Sequence, residues 1–350
     1  MWVFLAIWFT VFAFAPSGYA CNGHQSFCAR PYSNITQLVT HDSYAVGQKV
    51  AATQNLPLIQ QLNDGVRGIK LSAVPNHIDP SQMHVCHSMC MVLDAGPAVS
   101  VLDEIADWLK DNPNEVVTIM WNNLYDLHAD QFEKVYNHSN IMPYIYTHNL
   151  SNPTSWPTLQ EMIDSGKRVV NFVDSWADTK AVPWLMEHFL HIFETPYQTT
   201  NANDFRCVID RPVGLQNGTG MMYLVNHFLY GVINIGEYRI DIPQRDIALQ
   251  TNSQSLIDHT EQCIRTFGRP PNFIEVDFYD MGKAMEYLAR LNGIPYIAPA
   301  NVSAEAGPVH AQNLKWPTHM IIDNSSPTLS IPHTLFLSWF LLTSMLLVLF

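Results

Sequence analysis

Three segments among the first hundred residues carry side chains able to do acid–base chemistry on an anion: His41 in THDSYAVG, Lys70 in GVRGIKLSAV and His87 in MHVCHSMC. Each reads as a short apolar strand whose last residues turn polar, so each reactive group falls where a strand gives way to a loop. A parallel barrel keeps its chemistry there. Two imidazoles and a cation converging on one mouth suit cleavage of a phosphodiester, with one histidine as base, the other as acid and the cation on the phosphate.

Alternation along the strands decides which neighbours can join them. His87 lies two residues beyond Val85 and shares its face, assigned here to the barrel interior. Lys70 and Ser72 share a face about 6 to 7 Å apart. A lysine inside a barrel is costly unless it meets an anion. Arg67 falls on the opposite face, suited to an ion pair outside. Late in the chain, NFIEVDF ends near Asp277, which could accept a hydrogen bond from His41 and fix its tautomer, or could bind loop amides instead. Asp42, Asn122, Asp174 and His227, also at strand ends, are candidates with Ser72 for substrate hydroxyls. Trp121 and Trp176 read as rim or core aromatics. With an ordinary pKa of about 6.5, His41 is expected neutral and ready as a base.

The elements that must position these groups alternate. A strand is predicted at Leu38–Thr40, a helix over Leu56–Asp64 stopped by Gly65, and strands at Val66–Val74 and Met83–Cys86. The helix Ala98–Asp111 carries Val99, Val101, Leu102, Ile105 and Leu109 on one stripe, and Asn112-Pro113 ends it before a strand at Glu115–Asn123. Further strands are predicted at Arg168–Ser175, Met222–Val225 and Asn272–Phe278, with helices at Thr158–Ser165 and Met281–Leu291. This alternation favours a parallel sheet, hence an α/β fold in a single domain. The stretch Trp184–Asn217 is the least regular and is expected to hold long loops and minor elements.

The ends place the chain outside the cell. Residues 1–20 are apolar and finish in SGYA, as a removed secretory signal does, although no Lys or Arg precedes the run. Residues 313–324 read as a stalk and 325–350 as a tail whose apolar run LFLSWFLLTSMLLVLF has no basic residue behind it. Together they have the order of parts of a glycosylphosphatidylinositol signal with attachment near Asn324. An ordinary tail anchor is the alternative. The barrel would then occupy 21–312. Sequons at Asn34, Asn137, Asn149, Asn217 and Asn301 agree with a glycosylated surface on the plasma membrane or cell wall. Six cysteines in an oxidising compartment default to disulfides. The pairing expected is Cys21–Cys28, Cys86–Cys90 and Cys207–Cys263, among about 15 possible connectivities. With 31 acidic and 18 basic residues the net charge is −13, which repels nucleic acid and leaves an anionic substrate to local cations.

Several stretches together resemble the fungal phosphatidylinositol-specific phospholipase C-like phosphodiesterases. They are CNGHQSFCARPYSNITQLVTHDSYAVG, QLNDGVRG, MHVCHSMCMVLDAGP, NPNEVVTIMWNN and PPNFIEVDFYDMGKAMEYLARLNG, spread from Cys21 to about Gly293. The resemblance implies a single (β/α)8 phosphodiesterase barrel of the triosephosphate isomerase type, with His41 matching the family's base and His87 its acid. Metal-dependent members hold calcium on acidic residues of the second strand, where this chain has Lys70 and Ser72, and Trp121 stands where another acid is kept. No cofactor is therefore expected, calcium included, and Lys70 is expected to bind phosphate in place of the metal or of the arginine of metal-independent relatives. The function expected is a monomeric, surface-anchored hydrolase acting on a phosphodiester such as a lipid head group. The rival readings are a surface glycoprotein that keeps the barrel without turnover, and a magnesium-dependent glycerophosphodiesterase or sphingolipase.

Overall fold

The computed structural model describes residues 20–299, apart from positions 77, 80, 81, 88, 89, 236 and 237, and omits the side chains of 233–240. The expected signal up to residue 19, Asn301, the stalk with Asn324 and the apolar tail lie outside the described residues.

Eight strands hydrogen-bond into one parallel, curled sheet. In chain order the strands are β1 (Gln37–Thr40), β2 (Gly68–Pro75), β3 (Met83–Cys86), β4 (Asp94–Pro97), β5 (Val117–Asn123), β6 (Val169–Val173), β7 (Leu185–Glu187), β8 (Ile192–Glu194), β9 (Met222–Asn226), β10 (Tyr230–Ile235), β11 (Tyr238–Pro243) and β12 (Phe273–Val276). The sheet order is β7-β6-β5-β2-β1-β12-β9-β8. β3 and β4 add antiparallel pairing at the far end of β2, and β10–β11 form a separate antiparallel hairpin. The two outermost strands, β7 and β8, are joined by the short helix His188–His191, and no ladder connects them among the described residues. A curled parallel sheet is thus established, whereas the expected full closure of the barrel is not.

Period-2 burial explains why these sequences make a doubly covered sheet. Val39, Met120, Phe172, Met186, Leu224 and Phe273 pack together on one side. Their chain neighbours Leu38, Ile119, Trp121, Val173 and Ile274 point the other way, against Val101, Leu102, Ile105 and Leu109 of the helix Ala98–Asp111. Phe172 is fully buried, so truncating it to alanine would cost about 3–5 kcal/mol. Where β1 meets β2 only glycine fits, because a Cβ at Gly68 would lie 2.5 Å from Val39 Cγ2. Trp121 is a core residue whose indole Nε1–H donates to Tyr136 OH at 2.8 Å, whereas Trp176 is 51% exposed. Arg67 meets Glu115 at 2.7 Å, the expected ion pair.

Three disulfides hold the periphery: Cys21–Cys28, Cys86–Cys90 and Cys207–Cys263. The first belongs to an N-terminal segment that packs Phe27 and Tyr32 onto the inner apolar cluster. Asn34, Asn137, Asn149 and Asn217 are all exposed. The region Trp184–Asn217, expected to hold long loops and minor elements, contributes β7 and β8, strands of three residues each.

Candidate active site

The turn after β1 sets the geometry. His41 N–H donates to Val276 O at 3.0 Å, continuing the β1–β12 ladder by one residue, and Asp42 then takes a left-handed φ of 39°. Aspartate tolerates that conformation better than most residues. The turn is anchored beneath by Gln54 Nε2–H donating to His41 O at 2.9 Å and by Ser43 N–H donating to Lys70 O at 3.0 Å. β12 extends the same face through Glu275 to Asp277. The antiparallel β2–β3 pairing, Ala73 opposite Val85, folds the chain back so that His87 returns towards Ser72.

These elements bring both histidines to one carboxylate. His41 Nδ1 lies 2.8 Å from Asp277 Oδ1, so Nδ1–H faces the carboxylate and Nε2 is the nitrogen left for chemistry. Asp42 Oδ2 is 3.9 Å from His41 Nε2 and 3.6 Å from His87 Nε2. Ser72 Oγ–H donates to Asp42 Oδ1 at 2.8 Å. Phe228 stacks on His41 at 4.2 Å between centroids, and Tyr230 OH lies 3.4 Å from His41 Nε2. His87 Nδ1 is buried without a hydrogen-bond partner among the described residues.

Lys70 meets its anions one layer deeper. Its ammonium sits 3.6 Å from Glu275 Oε2 and 3.9 Å from Glu194 Oε1, and makes no closer hydrogen bond among the described residues. Glu194, at the end of β8, also pairs with Arg211 and lies 2.9 Å from His188 Nε2. Burial opposes the lysine's charge, yet the two glutamates outweigh it and hold its pKa above the ordinary value. Burial likewise opposes the Glu194 carboxylate, but Arg211 and Lys70 hold it well below the usual range.

Protonation of His41 departs from the expectation. Burial favours the neutral ring, but the carboxylates of Asp277 and Asp42, with Glu275 behind, push its pKa up to about 9. The resting form at neutral pH is therefore an imidazolium paired with Asp277, not a neutral base. Burial pushes the Asp277 carboxyl up, and the imidazolium opposes that shift.

The remaining candidates divide. Asn122, paired in register with Ser72, is half-buried on the same face. Asp174 Oδ1 accepts the Asn123 backbone N–H at 2.8 Å and so ties β5 to β6. His227 is not in the site. Alternation along β9 turns Asn226 inward and His227 outward, where Nε2–H meets Thr251 O at 2.9 Å and Nδ1 lies 3.0 Å from His259 Nδ1. Burial, with His259 alongside, pulls its pKa down to about 3. Sequence reasoning missed Phe228, Tyr230, Glu194 and Arg211. Glu275 was legible, two residues before Asp277 on the same strand face.

The family description PI-PLC X 1 matches residues 27–292. The chain belongs to the PI-PLC X domain family. Two curated relatives from Arthroderma benhamiae align over nearly four-fifths of the chain. An uncharacterized secreted protein is 36% identical over 290 residues, and PI-PLC X domain-containing protein 1 is 35% identical over 280. The aligned stretches cover 79% and 78% of this chain, and 64% and 90% of those proteins, so under two thirds of the first relative's length is matched. Among solved structures, the phosphatidylinositol-specific phospholipase C from Listeria monocytogenes superposes with a TM-score of 0.51 at 15% identity, covering 76% of this chain and 95% of that one. A histidine-to-tyrosine mutant of the Staphylococcus aureus phosphatidylinositol-specific phospholipase C gives 0.50 at 14% identity, with 77% and 95% covered. These likenesses extend the family assignment to the fold. No described helix is long and apolar enough to cross a membrane.

Proposed function

We propose that the protein is a phosphoric diester hydrolase of the phospholipase C type that works by two-histidine acid–base catalysis without a metal. The carrying observation is the convergence of His41 Nε2 and His87 Nε2 on Asp42 Oδ2, with the Lys70 ammonium one layer deeper between Glu275 and Glu194. His41, once deprotonated, takes the proton of a hydroxyl next to the phosphate through Nε2, while Asp277 holds Nδ1–H and stabilises the imidazolium that forms. His87, oriented by Asp42, protonates the leaving oxygen. Lys70 supports the negative charge growing on the phosphoryl oxygens. Water can then open a cyclic phosphate with the two histidines exchanging roles.

The residues do not suit a divalent cation. Calcium takes about six to eight oxygen ligands. Here Asp42 Oδ1 already accepts the Ser72 hydroxyl, Asp277 Oδ1 holds His41, and Lys70 stands between the two deeper glutamates. We read the curled sheet as a (β/α)8 barrel with its seam at the His188–His191 helix. The substrate class that fits is a phosphodiester with a hydroxyl neighbour, such as a phosphoinositide or glycerophosphodiester head group, met outside the cell by a glycosylated protein tethered through its C-terminal tail.

A catalytically silent surface glycoprotein is the second reading. It is favoured by one observation: His41, Asp42, Lys70, Ser72, His87 and Asp277 are each under 10% exposed. Incubating the secreted, tail-free protein with a panel of phosphodiesters, with and without chelator, separates the two. Chelator-resistant release of a phosphate monoester or cyclic phosphate supports the hydrolase, whereas chelator-sensitive release overturns metal independence. No product from any diester leaves the silent protein.

A further inference from the structure

The nitrogen that must take the proton is already occupied. With His41 Nδ1 committed to Asp277, Nε2 is the reactive atom, and the group nearest it is the Tyr230 hydroxyl at 3.4 Å. The tyrosine is 9% exposed, and its ring stands nearly perpendicular to the imidazole at 79°. Phe228, two residues earlier, covers the flat face of the imidazole. Tyr230 opens β10, whose only ladder is to β11 among the described residues, so the eight-stranded sheet does not fix its position. What fixes it is local: Tyr230 N–H donates to Thr199 O at 2.9 Å, and Gln244 Nε2–H donates to Tyr230 O at 2.8 Å.

We propose that Tyr230 caps the catalytic base, its hydroxyl standing in the resting protein where the hydroxyl of the substrate must arrive. The proposal rests on His41 acting as the base in the function proposed above. Because the resting ring is an imidazolium, Nε2–H donates and the phenol oxygen accepts. The contact therefore stabilises the charged ring and withholds the base until a substrate hydroxyl takes the tyrosine's place. Three carboxylates set the ring's charge, Asp277 and Glu275 from β12 and its extension and Asp42 from its own turn, and Tyr230 is the neutral group that meets Nε2. His87 reaches it through Asp42. Tyr230 is the member of this set whose removal changes no formal charge. The tyrosine is itself kept neutral by burial and by the carboxylates of Asp277 and Asp42, which hold its pKa well above the ordinary value.

Diethyl pyrocarbonate, which acylates neutral imidazole, tests this without relying on turnover. The rate at His41, resolved from other histidines by peptide mass mapping, is followed against pH in the wild type and in Tyr230→Phe. Unfolding midpoints within a few degrees of each other confirm that both are folded. Losing one hydrogen bond to the charged ring lowers the midpoint by about half a pH unit, so modification at pH 7 quickens about threefold. Equal or slower modification of the variant overturns the cap. Where turnover is measured, the acid limb of kcat/KM moves by the same interval and KM falls, and a limb that stays in place also overturns the proposal. Failure of the diester panel alone bears on the function, while failure of the modification assay bears on Tyr230.

Discussion

Replacing Asp277 by asparagine should move the acid limb of the pH–rate profile by about two pH units, and the structure says why. His41 is raised from 6.5 to about 9 against a burial that lowers it, and Asp277, at 2.8 Å, is the leading group doing the raising. That rise corresponds to about 3 kcal/mol of preference for the imidazolium. At pH 7 about one wild-type molecule in a hundred holds the neutral base, so kcat/KM should climb with pH until His41 loses its proton near 9. Asparagine keeps the shape but not the charge. The limb then falls towards pH 7, and the plateau drops at least about tenfold because nothing selects the Nδ1–H tautomer. The assay is initial-rate kcat/KM on one phosphodiester from pH 5 to 10 at fixed ionic strength. A variant limb coinciding with that of the wild type would refute the assignment of His41 as the titrating base and Asp277 as its partner.

Three other outcomes follow from the same geometry. Lys70→Met removes the cation proposed to support the phosphoryl oxygens and should lower kcat/KM by about 10² to 10³, while unchanged turnover takes Lys70 out of the mechanism. The paired substitution Cys86→Ser and Cys90→Ser opens a short loop next to His87 and should cost about 2 kcal/mol by loop entropy, read as a lowered urea midpoint, with a larger loss in kcat than stability explains. The His41–Asp277 pair should also show in stability. A group raised in the folded state stabilises fully below its unfolded value of about 6.5 and ceases to as pH passes the folded value, so the stability difference between wild type and His41→Gln should shrink from pH 7 to pH 10.

Much of this arrangement was readable in the chain. Strand alternation alone placed Lys70 with Ser72, and could have placed Glu275 with Asp277, because period 2 is rigid once the strand is located. The same rule should have excluded His227, which follows the inward Asn226 by one residue. The error came from judging strand ends by residue type rather than by parity. β7 and β8 were readable only as minor elements, because three residues carry too little periodicity to mark a strand. Glu194 was lost with them, and with it one of the two partners that hold Lys70 charged. The protonation of His41 was out of reach, since it depends on three carboxylates from β12 and the Asp42 turn that only the fold assembles.

Leaving-group dependence separates the two histidines most directly. Turnover of His41→Ala and His87→Ala is compared on a phosphodiester with an alkoxide leaving group and on one with a 4-nitrophenolate, which departs without a proton. Loss of His87 should cost at least about 10² on the first and little on the second, whereas loss of His41 should disable both. Equal losses for the two variants on both substrates would contradict the division of labour between base and acid.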